Sequence, residues 1–145
     1  MDLVTIKQLD DWMTAHCYND SYGIGSRMIH EGYGLGTSGG LYVWYYTERG
    51  ERQNLNYFDT EQEAVDFAFR AITADKSANR HLVAFLKDKA VETELLAELD
   101  LRGVPYWKDK IPYGGLHDVR VRIFVFGCDV QKVLDLQEKS SHNPT

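Results

Sequence analysis

The chain has 145 residues, of which 43% are hydrophobic, 12% aromatic and 26% charged. This is the balance of a folded globular protein and excludes an intrinsically disordered one. Sixteen Lys and Arg stand against 22 Asp and Glu, giving a formal net charge of -6. The densest basic group is Arg120 with Arg122. Phosphate binding needs clustered cations, so we expect no direct nucleic-acid partner, whereas the acidic charge favours a basic protein.

Cysteine usage and the N-terminal sequence bear on the compartment. Cys17 and Cys128 lie far apart and form no Cys-x-x-Cys pair, which is typical of reduced thiols in a cytosolic protein. The N-terminus lacks a basic region followed by an apolar one, and no apolar run approaches the roughly 18 residues of a membrane span. We therefore expect a cytoplasmic protein with no membrane partner.

The first half of the chain predicts two helices flanking a hairpin. Thr5 caps the first helix, and Gln8 completes a capping box. Seven glycines within residues 18–40 predict a loop with at most one strand, at 27–30. The predicted elements are a helix over 6–17, strands over 41–48 and 53–58 joined by Arg49-Gly50, and a helix over 61–74 capped by Thr60.

The second half alternates strands and helices. Residues 81–86 suit a buried strand or a continuing helix, and we choose the strand. Gly103 occupies the position that ends a helix, and Asp129 caps a final helix. Further predicted elements are a helix over 89–102 and strands over 104–108 and 119–126.

This order predicts an α+β fold. Hairpins clustered between helices favour an antiparallel or mixed sheet of about five to six strands, covered by about four helices. The size fits a single domain over residues 1–139. Residues 140–145 are polar and predict a flexible C-terminal tail.

No motif here has the spacing that a catalytic, cofactor or metal site requires. Residues 34–39 match G-x-G-x-x-G, but a dinucleotide site needs that motif between a strand and a helix, and here a strand follows it. The five histidines show no zinc-ligand spacing. Ser26 and His30 would lie about 13 Å apart on a strand. We expect a protein that is not an enzyme.

Two segments have the composition of binding surfaces. The hairpin over 41–58 is rich in Tyr and Trp, which supply large contact area at low entropic cost. Core packing is the alternative, and both hold if the strand sends one row inward and the other outward. Residues 104–115 combine Pro, Gly and aromatic residues, as in a rigid exposed excursion, although ordinary loop packing explains them equally well.

Three features carry a resemblance to a known family: the aromatic hairpin 41–58, the capped helix beginning Thr60-Glu-Gln-Glu-Ala-Val, and the closing Arg122-Ile-Phe-Val-Phe-Gly. In these the chain resembles the small immunity proteins of bacterial polymorphic toxin and contact-dependent growth inhibition systems. The resemblance covers most of the domain. It implies a cytoplasmic, non-catalytic protein that binds the toxic C-terminal domain of a cognate effector and occludes its active site.

The resemblance also implies the chemistry of the partner. Nuclease toxins are frequent in such systems, and an acidic inhibitor can occupy their basic cleft. Candidate partner-binding residues follow from acidic and aromatic chemistry and from no family motif: Trp44, Tyr46, Asp59, Glu61, Glu63, Trp107 and Asp109. The sequence sets no oligomeric state. Two alternatives stay open, a small enzyme whose site assembles only in the fold around His30 or His81, and a general ligand-binding or adaptor domain using the glycine-rich loop.

Overall fold

The structure is a computed structural model that describes residues 3–141, with side chains over residues 3–137. It contains two compact units, residues 1–78 and 79–145. Each unit holds one three-stranded antiparallel sheet together with helices, so the predicted α+β class, with six strands and four helices in the described residues, is confirmed. A single domain over 1–139 stays a prediction. Of the predicted tail, residues 142–145 lie outside the described residues.

The first unit is a meander of three strands with both helices packed on one face. Thr5 and Gln8 form the predicted capping box at the first helix, and Thr60 Oγ1 accepts from the Glu63 amide at the second. Leu35 and Trp44 project from the sheet into a core made with the helices. The elements are α1 (Ile6–Ala15), β1 (Gly32–Ser38), β2 (Leu41–Glu48), β3 (Glu51–Phe58) and α2 (Glu61–Ala74).

The glycine-rich segment contains a strand where the sequence predicts mainly loop. β1 covers most of the G-x-G-x-x-G motif, and residues 27–30 are not a strand. Gly34 and Gly36 point to the sheet face on which the ring of Tyr45 lies, and a Cβ on Gly34 would come within 2.5 Å of Tyr45 Oη. The glycines therefore make room for a tyrosine, and the weak β propensity of glycine hid the strand from sequence reasoning.

In the sheet of the second unit, the strand that comes last along the chain lies between the other two, and both pairings are antiparallel. The strand predicted at 81–86 is confirmed, and Gly103 has the positive φ of a helix C-terminus (70°). The fifth strand begins at Trp107, later than predicted, and Asp129 lies in a 3₁₀ helix that precedes the last α-helix. The elements are β4 (Arg80–Leu86), α3 (Lys89–Leu101), β5 (Trp107–Ile111), β6 (Arg120–Phe126) and α4 (Leu134–Ser141).

Alternation along β6 separates the two faces of this second sheet. Ile123 and Val125 point into a core shared with Leu95 and Leu99 of α3 and Leu136 of α4. The residues between them point to the opposite face, because successive strand side chains alternate. That opposite face carries the sequence-predicted Trp107.

Both cysteines are disulfide-bonded, and neither is a free thiol. The expectation of reduced thiols is therefore wrong. Wide sequence separation says nothing about separation in space, and that is why the spacing argument failed. The cysteines no longer support a cytoplasmic location, since disulfides persist in oxidising compartments.

Candidate binding surfaces

Trp44 is a core residue. It is 5% exposed, and its indole stacks nearly parallel to Tyr33 at 5.8 Å and meets Phe67 edge-on at 5.5 Å. Of the two readings of the aromatic hairpin, core packing therefore describes Trp44. Trp44 is therefore too buried to contact a partner directly, and it can contribute to binding only by supporting the ring of Tyr33.

Tyr46 lies at the end of the first sheet and forms a tyrosine pair with its register partner Tyr33. The two rings meet edge-on at 5.0 Å, and Tyr33 is 41% exposed. Tyr46 Oη donates to Glu31 Oε1 at 3.4 Å. Partial burial, with the nearby charges of Glu48 and Glu31, raises the pKa of Tyr46 and keeps its phenol protonated. We call Tyr33, Tyr46, Glu31 and Glu48 the tyrosine–acid surface.

Two of the three predicted acidic residues around the start of α2 have structural roles. Glu61 Oε2 accepts from the Ile6 amide at 2.8 Å and so satisfies one free amide at the start of α1. Glu63 Oε1 accepts from Thr60 Oγ1 at 3.0 Å within the helix cap. Asp59 is exposed. Of these three predicted contacts, only Asp59 has no capping role among the hydrogen bonds described.

The net negative charge of the chain comes from its first half. Residues 1–78 contain six Lys and Arg against twelve Asp and Glu, for a net charge of -6. Residues 79–145 contain ten of each and are neutral. An attraction for a basic partner therefore belongs to the first unit, where the tyrosine–acid surface lies.

Trp107 and Asp109 occur together on the outer face of the second sheet, two residues apart on β5. Trp107 is 43% exposed and packs on Phe124 at 5.7 Å. Asp109 accepts two hydrogen bonds from the guanidinium of Arg122, which hold its pKa below the ordinary range. The structure thus brings these two predicted residues together, but with cations that the acidic composition did not suggest.

Ser26 belongs to a network of hydrogen bonds around buried Asp10. Asp10 Oδ2 accepts from the Ser26 amide at 2.9 Å and from its hydroxyl at 2.7 Å, and Oδ1 accepts from Arg27 Nε at 3.0 Å. Burial opposes ionisation of Asp10, yet these donors keep its pKa below the ordinary value. The Ser26 hydroxyl donates to the Asp10 carboxylate, which also accepts from Arg27. These contacts anchor the loop after α1 to that helix.

Sequence reasoning missed Tyr33, Glu31 and Arg80. The first two lie in or beside the unrecognised strand β1, so their proximity to Tyr46 needed a register that the sequence did not give. Arg80 sits at the start of a strand whose neighbours are distant in sequence. The alternation Arg120, Arg122, Phe124 was the one available signal for the outer face.

The described residues hold no group of three or more His, Cys, Asp or Glu side chains placed to bind a metal ion. Within the same residues, no helix has both the length and the apolar character that a membrane span requires. Comparisons with protein-family models, curated proteins and solved structures gave no match to this chain.

Proposed function

We propose that the protein is a non-catalytic immunity protein that binds and neutralises a cognate toxin domain, making its main contact through the tyrosine–acid surface. The observation that supports this most directly is the pair of exposed Tyr33 and half-buried Tyr46, bordered by Glu31 and Glu48, in the unit that carries the whole net charge of -6. Tyrosine is enriched at interface hot spots. Carboxylates beside the rings complement a basic surface.

The geometry supports tight binding because the rings are held before a partner arrives. Tyr33 rests on Trp44, which is buried against both Tyr22 and Phe67. A contact surface with fixed rotamers loses less entropy on binding. An arginine or lysine of a toxin's active-site cleft could lie against a tyrosine ring in a cation–π contact. The same cation would lie beside the carboxylates of Glu31 and Glu48.

The cytoplasmic location belongs to this proposal, and the bonded cysteines count against it. A cytoplasmic pool would carry two thiols that alkylate without reduction, whereas an exported pool would carry none. Maleimide labelling of the chain in rapidly quenched cells, with and without prior reduction, distinguishes the two. Labelling only after reduction would place the encounter with the toxin outside the cytoplasm and leave the binding proposal intact.

The function is tested with the C-terminal domain encoded by the gene directly upstream. Co-expression with this chain should restore the growth of cells producing that domain, and the two proteins should elute together on a sizing column. Continued cell death without a complex would refute the proposal for that pair.

A matched set of variants tests the surface. Glu31→Lys with Glu48→Lys should slow association at low salt, with the difference shrinking as salt rises, because steering between exposed charges is screened. Tyr33→Ala should raise the dissociation rate, with a loss of affinity of roughly 30-fold or more at a hot spot. Glu94→Lys with Asp100→Lys, at two exposed positions of α3, is the control with the same change in net charge. Equal effects of this control and the Glu31/Glu48 pair would show that only net charge matters.

A further inference from the structure

The two outer edges of the first sheet differ in how their backbone groups are paired. β1 and β3 lie on the outside of this sheet, with β2 between them. On the outer side of β1, the Gly23 amide donates to the Tyr33 carbonyl at 2.9 Å, and the Gly23 carbonyl accepts from the Leu35 amide at 3.0 Å. Among the residues that the structure describes, no such hydrogen bond reaches the outer side of β3. One edge of the sheet is therefore covered and the other is open.

The strand register shows which groups of β3 face outward. Tyr33 directs its carbonyl away from β2, so its register partner Tyr46 forms its backbone hydrogen bonds on the opposite side, with Gln53 of β3. Bonded and non-bonded pairs alternate along an antiparallel ladder. Arg52 and Asn54, on either side of Gln53, therefore turn their N–H and C=O groups outward. We call this row of backbone groups the β3 edge.

The β3 edge is accessible and is flanked by exposed apolar side chains. Leu55 is 41% exposed and Tyr57 is 54% exposed. Leu55 is the extra residue of a bulge and has no register partner on β2. The charges of β3 lie beside its turn, at Glu51 and Arg52, and neither charge nor proline protects the rest of the strand. An open backbone between exposed apolar side chains is what an added strand binds.

Asn54 is unsatisfied at its side chain as well as at its outward backbone groups. Its Oδ1 is buried and has no hydrogen-bond partner within the part of the chain that the structure describes. A buried acceptor without a donor is costly. A strand added at this edge brings N–H donors to the position, and rotation of the Asn54 amide lets its oxygen accept from one of them.

We propose that the toxin domain binds by adding an extended, basic and partly apolar segment to the β3 edge as a fourth strand. This inference rests on the proposed function and specifies how the partner is held. Main-chain hydrogen bonds supply the affinity, and side chains that pack on Leu55 and Tyr57 supply the specificity. The added strand passes Gln53, the register partner of Tyr46, so one partner engages this edge and the tyrosine–acid surface together.

Charge favours the toxin over a second copy of this chain as the occupant. The first unit carries a net charge of -6. A second copy would bring an equal negative charge to the same edge, and like charges repel. A basic segment is attracted instead.

Amide hydrogen exchange on the unaltered chain tests the proposal. The isotopically labelled chain is compared by nuclear magnetic resonance with and without the unlabelled domain encoded directly upstream. In the free chain the Gln53 amide should exchange slowly, because it is bonded to β2, whereas those of Arg52 and Asn54 should exchange fast. In the complex, exchange at Arg52 and Asn54 should slow by roughly tenfold or more, because both amides become hydrogen-bonded.

A matched pair of variants at one position tests the edge hydrogen bonds. Asn54→Pro removes an outward N–H and leaves the bonds to β2 in place. It should weaken toxin binding by roughly tenfold or more, measured by titration calorimetry, since a donor is lost and the ring blocks the edge. Asn54→Thr loses the same side-chain amide but keeps the N–H, and it should bind as the unaltered chain does. Matching circular dichroism spectra of the two variants show that the fold persists.

Three results would overturn strand addition. A complex in which Arg52 and Asn54 exchange at their free rates means that the toxin binds elsewhere, and it leaves the proposed function intact. Protection of the same amides in the chain alone at rising concentration assigns the edge to a second copy. Equal affinities of Asn54→Pro and Asn54→Thr mean that the edge hydrogen bond contributes nothing. The absence of any complex refutes the proposed function for that pair, and this inference with it.

Discussion

The two units each bury one carboxylate among the described residues, and they neutralise it differently. In the first unit Asp10 pairs with Arg27, whose side chain is only 8% exposed. In the second unit Glu92 pairs with Lys108 at 2.8 Å, and the Lys108 side chain is 42% exposed. The first pair is enclosed on both sides, whereas the second keeps its cation at the surface. The same kind of buried acid should therefore contribute very differently to stability.

The largest expected effect is at Asp10. Asp10→Ala removes the buried partner of the Arg27 guanidinium, which keeps its ion pair with the exposed carboxylate of Asp20 at 2.9 Å, and removing one member of a buried pair costs about 3–5 kcal/mol. Urea unfolding followed by circular dichroism measures the loss. Asp11→Ala is the control on the same helix, because Asp11 is exposed and its ion pair is with exposed Lys7, and it should change stability by less than about 1 kcal/mol. A loss at Asp10 no larger than at Asp11 would mean that Asp20 or water is enough to neutralise Arg27 in the native state.

The sheet of the first unit, unlike that of the second, has glycines on a strand beneath a tyrosine ring, and substitution of Gly34 tests this contact. A Cβ at Gly34 would lie 2.5 Å from Tyr45 Oη and 2.6 Å from the Gly23 carbonyl. We expect Gly34→Ala to cost roughly 2–3 kcal/mol, since backbone cannot yield as a flexible side chain can. Gly36→Ala is matched to it on the same strand, where the nearest atom is Arg52 Nη1 at 3.1 Å. Equal losses at both positions would show that the close contacts of Gly34 with Tyr45 and the Gly23 carbonyl do not set the cost.

Glu92→Gln should have a smaller effect, roughly 1–2 kcal/mol, the cost of weakening a charged hydrogen bond. The exposed ammonium of Lys108 can then turn to water, so no buried charge is left unpaired. The same urea titration measures it. A loss as large as that of Asp10→Ala would abolish the distinction between the two pairs.

The strength of local signals decides how much of the fold the sequence predicts. The boundaries of β2 and α2 follow from alternation and from the Thr60 cap, and both match the structure. β1 escaped prediction because a tertiary contact, the Tyr45 ring lying over Gly34 and Gly36, selects glycines that read locally as loop. Local propensity cannot show such a contact.

The same limit applies to the candidate surfaces. Tyr46 was predicted from its residue type, but its neighbours depend on the β1 register. Trp44 is also aromatic, and it lies on the same side of the same strand. It is nevertheless buried, because α2 covers that end of the sheet. Residue type and alternation predict a face, whereas the position of the helix decides which part of it a partner can reach.

The two buried acids should also shape the acid limb of stability. Hydrogen bonds hold the pKa values of Asp10 and Glu92 below their ordinary range despite burial. The unfolded chain therefore binds more protons than the folded chain near pH 4, and stability falls as the pH drops through that region. Asp10→Asn should flatten this fall, as seen in urea midpoints between about pH 3 and 7. An unaltered slope would assign the acid limb to other carboxylates, such as Asp135, whose pKa is lowered to about 2 by its hydrogen bonds from Arg102.

The smallest expected effect is a gain at a turn of the first unit. Two-residue turns join its three strands, whereas eight residues connect β5 to β6 in the second unit. Arg49 and Gly50 both have positive φ, 53° and 81°, the conformation of a type I′ turn, for which Asn-Gly is preferred. Arg49→Asn should therefore raise stability by about 0.5 kcal/mol, and Arg49→Val should lower it, because a β-branched residue is strained at positive φ. Equal stability of the Asn and Val variants would show that the hairpin can adopt a different turn. Strand pairing, and not the turn, would then fix the register of the tyrosine–acid surface.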